Sequence, residues 1–99
     1  MKCSFLSPAR VELEDAVRHY DAQQEGLGQD FAKEVARTIQ RILQHPRAWE
    51  KLSRRTRRCR TNRFPYGVVY SSRREEILIV AVAHLHRKPM YWRERLKAR

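Results

Sequence analysis

The stretch Tyr66-Gly-Val-Val-Tyr70, with the polar turn Ser71-Ser-Arg-Arg-Glu75 and the run Ile77-Leu-Ile-Val-Ala-Val-Ala83, decides the fold. Its first five residues are β-branched or aromatic around one glycine, the composition of a strand. Seven consecutive apolar residues, 77–83, predict a strand buried on both faces and therefore central in its sheet. Just upstream, Arg54-Arg-Thr-Arg-Arg-Cys-Arg-Thr-Asn-Arg63 holds six arginines in ten residues and no breaker, which predicts an exposed strand over 55–63. Alternation puts Arg58 and Arg60 on one face with Thr56 and Asn62, and Arg55, Arg57 and Arg63 on the other with Cys59 and Thr61.

Before His45-Pro46 the period of the pattern changes from two to about 3.6. Phe31, Val35, Thr38, Ile39, Ile42 and Leu43 share one helical face, as do Ala9, Leu13, Ala16, Val17 and Tyr20, with Glu12, Glu14, Asp15 and Arg18 outside. Gly26-Leu-Gly28 separates the two helices closely enough to make an antiparallel hairpin. Residues 2–6 predict a short strand, after which Ser7 can cap and Pro8 can occupy the first helical turn. Pro89 precedes a last short helix over about residues 90–98. The expected order is β-α-α-β-β-β-α: one α+β domain over residues 1–99, with a small, mainly antiparallel sheet packed on one face by the helical hairpin.

The 99 residues carry 22 Lys/Arg against 11 Asp/Glu, a formal charge of +11. Residues 1–50 have seven basic and eight acidic side chains and residues 51–99 have fifteen and three, so the whole excess lies in the second half. A basic half points to an anionic partner, although arginines on an edge strand also guard against aggregation. Cys3 and Cys59 belong to no CxxC or Cys/His pattern, so no structural metal and no cofactor is expected. Without an apolar leader or a span of about 18 apolar residues, the chain is expected in the cytoplasm, with no membrane partner and with reduced thiols.

Of four histidines, His19 and His45 read as surface and helix-end residues. His84 and His86 leave the end of the apolar strand as an H-x-H pair with both rings on one face, but no third ligand lies near in sequence. Cutting RNA through its 2′-hydroxyl needs a base, an acid and a cation; His84 or His86, Tyr91, and Arg87 or Arg63 would be chemically sufficient. Trp92 and Trp49 read as core residues, and Tyr91 fits either a core or a site.

The blocks Arg63-Phe-Pro-Tyr-Gly-Val-Val-Tyr70 and His84-Leu-His-Arg-Lys-Pro-Met-Tyr-Trp-Arg93, in this order and spacing, resemble the RelE/ParE toxins of bacterial type II toxin–antitoxin modules. The similarity is closest to the ParE-like, plasmid-stabilisation branch, and it extends over nearly the whole chain. It implies a toxin neutralised by a cognate antitoxin, whose disordered tail folds over it to give a toxin–antitoxin heterocomplex. ParE-like relatives poison DNA gyrase, whereas RelE-like relatives cut messenger RNA on the ribosome. The RNA-cleaving branch carries arginines about where Gly67 and Leu85 stand here; only Arg87 and Tyr91 have counterparts. Two missing cations, each worth ~3 kcal/mol of transition-state stabilisation, argue against cleavage. The leading expectation is thus a non-enzymatic toxin acting on gyrase through Arg57, Arg58, Arg60, Arg63, Tyr91, Trp92, Arg93 and Arg95. The alternatives are a ribosome-dependent endoribonuclease using Arg63, His84, Arg87 and Tyr91, and a non-toxic nucleic-acid-binding derivative.

Overall fold

A computed structural model describes residues 1–97. Strand β1 (Lys2–Phe5) is followed by helices α1 (Ser7–Gln23) and α2 (Leu27–Gln44), then by β2 (Glu50–Lys51), β3 (Arg57–Arg60), β4 (Tyr66–Ser72) and β5 (Glu76–His84). One turn of 3-10 helix (Arg93–Leu96) closes the described chain. The five strands form a single sheet in the order β1-β5-β4-β3-β2, with β1 parallel to β5 and every other pair antiparallel. The α+β class and mainly antiparallel sheet follow the expectation from the sequence.

The apolar run of β5 is buried from Ile77 to Ala83, as its composition requires, though β4 and not β5 takes the middle position. Ile77, Ile79 and Val82 point to the helical hairpin with Val68 and Tyr70, against Ala9, Ala16, Phe31, Val35 and Ile42. Leu78, Val80, Ala81 and Ala83 point the other way, where Trp92 and Leu96 cover them. Val80 and Ala81 can share a face because the register shifts: Tyr70 pairs with Ile79 and Val69 with Ala81, leaving Val80 unmatched on β4.

Several local expectations are corrected. Leu6, not Ser7, is the N-cap of α1, without a side-chain cap; its N–H still extends the ladder to Ile79 O (3.0 Å), and Pro8 does lie in the first turn. The arginine-rich strand is four residues long and is an inner strand over part of its length, because Glu50 and Lys51 pair with Arg58 and Arg57. Two charged residues carry no hydrophobic period that could announce β2. The final helix is reduced to the 3-10 turn because Met90 takes φ 62°, which no right-handed helix accommodates. The expected end of that helix at Ala98 lies outside the described residues.

One contact closes the helical hairpin and another ties it to the sheet. Gly28 packs so close to α1 that a Cβ there would lie 2.4 Å from Val17 O, while its N–H, with that of Gly26, donates to Asp21 Oδ1 (3.0 and 3.1 Å). Tyr70, fully buried, donates its hydroxyl to Pro46 O at 2.6 Å, tying the exit of α2 to the middle strand. Burial pushes the Tyr70 phenol from its ordinary 10 up to about 12. The folded state therefore holds this proton more tightly, so the contribution is complete below pH 10 and is lost as pH rises towards 12. Tyr70→Phe should cost about 1 kcal/mol at neutral pH and flatten the fall of the urea midpoint between these two values. An unchanged alkaline limb in the variant would assign that fall to other groups.

Candidate functional site

Beyond Leu6 the chain leaves the sheet to start α1, so β5 loses its outer neighbour after Ile79. Side chains replace the missing strand. Glu12 Oε1 accepts from Val82 N (3.0 Å), and Arg95 Nη1 donates to Val80 O (3.0 Å). The two side chains are joined by a pair of hydrogen bonds, Arg95 Nη1 donating to Glu12 Oε1 and Nη2 to Oε2, each 2.9 Å. Tyr91 donates its hydroxyl to Glu12 Oε2 at 2.6 Å. A single carboxylate thus serves a backbone amide, a guanidinium and a phenol, all provided by segments distant in sequence.

The electrostatics follow from that geometry. Burial, and then the bond to Glu12, push the Tyr91 phenol well above its ordinary range, while the Glu12 bond raises the Arg95 guanidinium. Arg87 stacks over the Tyr91 ring with its guanidinium carbon 3.9 Å from the centroid. Tyr91 is therefore held protonated and aimed at a carboxylate, an arrangement that orders the C-terminal segment and makes the phenol a weak proton donor to any leaving group.

His84 and His86 sit side by side, ring centroids 5.0 Å apart, with the His86 N–H donating to His84 Nδ1 (3.1 Å). Behind them Tyr66 meets His84 (5.2 Å) and Phe31 (4.8 Å) edge to face, joining the pair to the aromatic core. Among the described residues no three His, Cys, Asp or Glu side chains are grouped to hold a metal ion. His84, Arg87 and Tyr91 line one cleft of 220 Å³, along with Arg58 and Trp92. Arg63 is not part of it: it pairs with Asp30 of α2 (3.3 Å) and lies over Phe64. The four candidate nuclease residues are therefore not all gathered around one point.

Beneath Arg58, which lines this cleft, Gly67 has a clear packing role. A Cβ there would stand 2.7 Å from Arg58 Cδ and 3.5 Å from Leu85 Cδ2, so the arginine stem of β3 crosses the glycine. The Arg58 guanidinium is turned to Glu50 (2.8 Å), and this donation holds the Glu50 carboxyl below the usual carboxylate range. Arg57 faces the helices and donates to Trp49 O (2.9 Å); Arg60 and Arg93 are exposed; Arg95 belongs to the Glu12 corner; Trp92 is buried on the sheet. Trp49 is partly buried against the main core.

Glu12 was placed outside by its charge, yet it lies three residues after Ala9 and four before Ala16, the two buried residues of α1. The same spacing marks Glu34 between Phe31 and Thr38; it is buried and accepts from Asn62 N at 2.7 Å. Helical position outweighs residue type at both sites. Arg41, next to that face, reaches across to Arg60 O (2.9 Å), a contact that no local pattern announces.

The fold first defines a class, the small α+β domains in which a helical hairpin packs on a five-stranded mixed sheet. A solved structure described as the chromosomal ParDE TA system from P. aeruginosa superposes with a TM-score of 0.74 at 15% identity, over 85% of this chain and 95% of that one. The sequence matches the family model of the ParE toxin of the type II toxin-antitoxin system, parDE, over residues 4–89. With most of its length matched, the chain belongs to the ParE toxin family. No curated protein matches it. No helix among the described residues is long and apolar enough to cross a membrane.

Proposed function

We propose that this ParE-family toxin acts by binding and not by cleavage, inhibiting a host macromolecular machine, DNA gyrase, and that a cognate antitoxin holds it inactive in a heterocomplex. The observation that carries the binding reading is the Glu12 corner: Tyr91 and Arg95 are committed to one carboxylate and to the edge of β5. Gly67 and Leu85, facing each other beside the Arg58 stem, add no cation to the cleft. What remains for chemistry in the cleft is His84 with Arg87 and Lys88, since Arg58 is turned to Glu50, and no acid is placed beside them. The solved relative is described as a toxin–antitoxin system, and the basic second half of the chain suits an acidic, disordered antitoxin tail that folds on contact.

Controlled expression in a bacterium, with transcript ends mapped beside a DNA supercoiling assay, tests this reading. Cleaved DNA complexes and lost supercoiling, with transcripts intact, are expected. Cuts placed within codons, abolished by Arg87→Ala, would instead establish the ribonuclease.

A further inference from the structure

At the basic end of the sheet, the loop leaving β2 and the turn leaving β4 enclose a cleft of 270 Å³. Five of its nine lining residues are cations, Lys51, Arg54, Arg55, Arg57 and Arg73, and the other four are serines or a threonine. Neither a carboxylate nor an apolar side chain lines it. Several arginines elsewhere in the molecule are matched, Arg58 by Glu50, Arg63 by Asp30 and Arg95 by Glu12, while others such as Arg60, Arg87 and Arg93 stand singly without an ion pair among the described residues. None of the five cations of the cleft is in a salt bridge among the described residues. Arg73 Nη2 is buried and makes no hydrogen bond within the protein.

Such a concentration of like charge is unfavourable unless an anion neutralises it, and a buried guanidinium nitrogen without an acceptor is unfavourable by itself. The loop is nonetheless held in shape by its own bonds. Ser53 and Thr56 hydroxyls lie 2.6 Å apart, the Leu52 and Ser53 amides donate to Thr56 O (3.0 and 3.3 Å), and the Arg55 amide donates to Ser53 Oγ (3.3 Å).

We propose that this cleft is a phosphate-binding site that takes the backbone phosphates of a nucleic acid. Guanidinium groups offer paired donors matched to phosphate oxygens, and hydroxyls supply further ones. An acidic peptide would also bring apolar side chains, for which these walls provide no surface. Beyond the cleft the cations continue along a rim, since Arg54 and Arg55 also border a neighbouring depression with Arg93 and Lys97, although the floor of that depression is the apolar Met90, Trp92 and Leu96. A charged strip longer than one anion fits a chain of phosphates better than an isolated ion. The site is separate from the Tyr91–Glu12 corner, and the proposal goes beyond the gyrase reading without depending on it.

Anisotropy of a fluorescein-labelled DNA duplex, titrated with the full chain at several salt concentrations, tests the site. In Arg55→Gln/Arg73→Gln the affinity should fall at least tenfold, and the slope of log affinity against log salt should lose about two units, near 0.9 per phosphate contact. The pair Arg10→Gln/Lys33→Gln removes as much charge from the helices and should shift the slope by less than half as much. Equal losses in the two pairs would overturn the proposal, because binding would then track net charge alone. If the Arg73 variant fails to fold, Arg54→Gln/Arg55→Gln, both exposed, is expected to lower the slope in the same way. Inorganic phosphate should displace the duplex more effectively than chloride at matched ionic strength. Phosphate binding by a chain that ignores the duplex would overturn the nucleic-acid assignment, as would a polyglutamate peptide that outcompetes the duplex and is weakened by the same substitutions.

Discussion

Glu12→Ala is expected to lower stability by about 3 kcal/mol, within the range for breaking a largely buried ion pair. Glu12 and Arg95 side chains are only 15% and 20% exposed, so the stranded guanidinium cannot simply be returned to water. In a domain of this size that loss lowers the thermal midpoint by more than about 10 °C. Glu14→Ala, on an exposed position of the same helix, should change stability by less than about 0.5 kcal/mol. Equal melting of the two variants would show that the corner contributes nothing. A second variant separates two roles of the carboxylate. For an ordinary buried pair, replacement by apolar residues is often neutral or stabilising. Here Glu12→Leu/Arg95→Met should remain about 1–3 kcal/mol below the parent, because Val80 C=O and Val82 N–H lose the partners that stand in for a strand. Full recovery would mean that those edge groups need no replacement strand.

Gly28→Ala is the second large effect, and its sign is the informative part. In an exposed helix interior, glycine to alanine gains up to about 1 kcal/mol. At this position the new Cβ would lie 2.4 Å from Val17 O and 3.0 Å from Asp21 Cβ, and a backbone oxygen cannot rotate aside. The helices must separate, drawing Phe31 and Val35 away from the sheet, and overpacking of this kind costs about 3 kcal/mol. A net loss of about 2 kcal/mol should appear as a lower urea midpoint. A raised midpoint would show that α1 and α2 do not approach as closely as the structure has them. At Gly26, with φ 88° and nothing within 4 Å of a built Cβ, the effect of alanine is different: only the left-handed backbone penalises it, by about 1–2 kcal/mol.

Much of the architecture was legible because its elements satisfy local rules. The run 77–83 can only be an interior strand, and the 3.6-residue spacing of Phe31, Val35, Thr38 and Ile42 can only be one buried face. Gly67 and Leu85, the two positions singled out by the resemblance, do lie beside each other, with the Arg58 stem crossing the glycine. The candidate site was read less well, since composition cannot tell an arginine that meets a partner from one already matched inside the fold. By sequence Arg95 reads as a recognition residue and Tyr91 fits either a core or a site; in the fold both are bound to Glu12 and close the sheet. Glu12, which organises them, was assigned to solvent by its charge although its spacing from Ala9 and Ala16 pointed inward.

The sequence by itself determined the α+β class, the hairpin, the paired β4 and β5, and the confinement of positive charge to the second half, because these depend on periodicity and composition over neighbouring residues. Tertiary structure alone decided β2, the matching of Arg58, Arg63 and Arg95 to Glu50, Asp30 and Glu12, and the cluster of unmatched cations around Arg73. The physical reason is common to all of them. Charges are matched, and strand edges covered, by groups that lie from eight to 83 residues away along the chain and come together only when the chain folds back on itself.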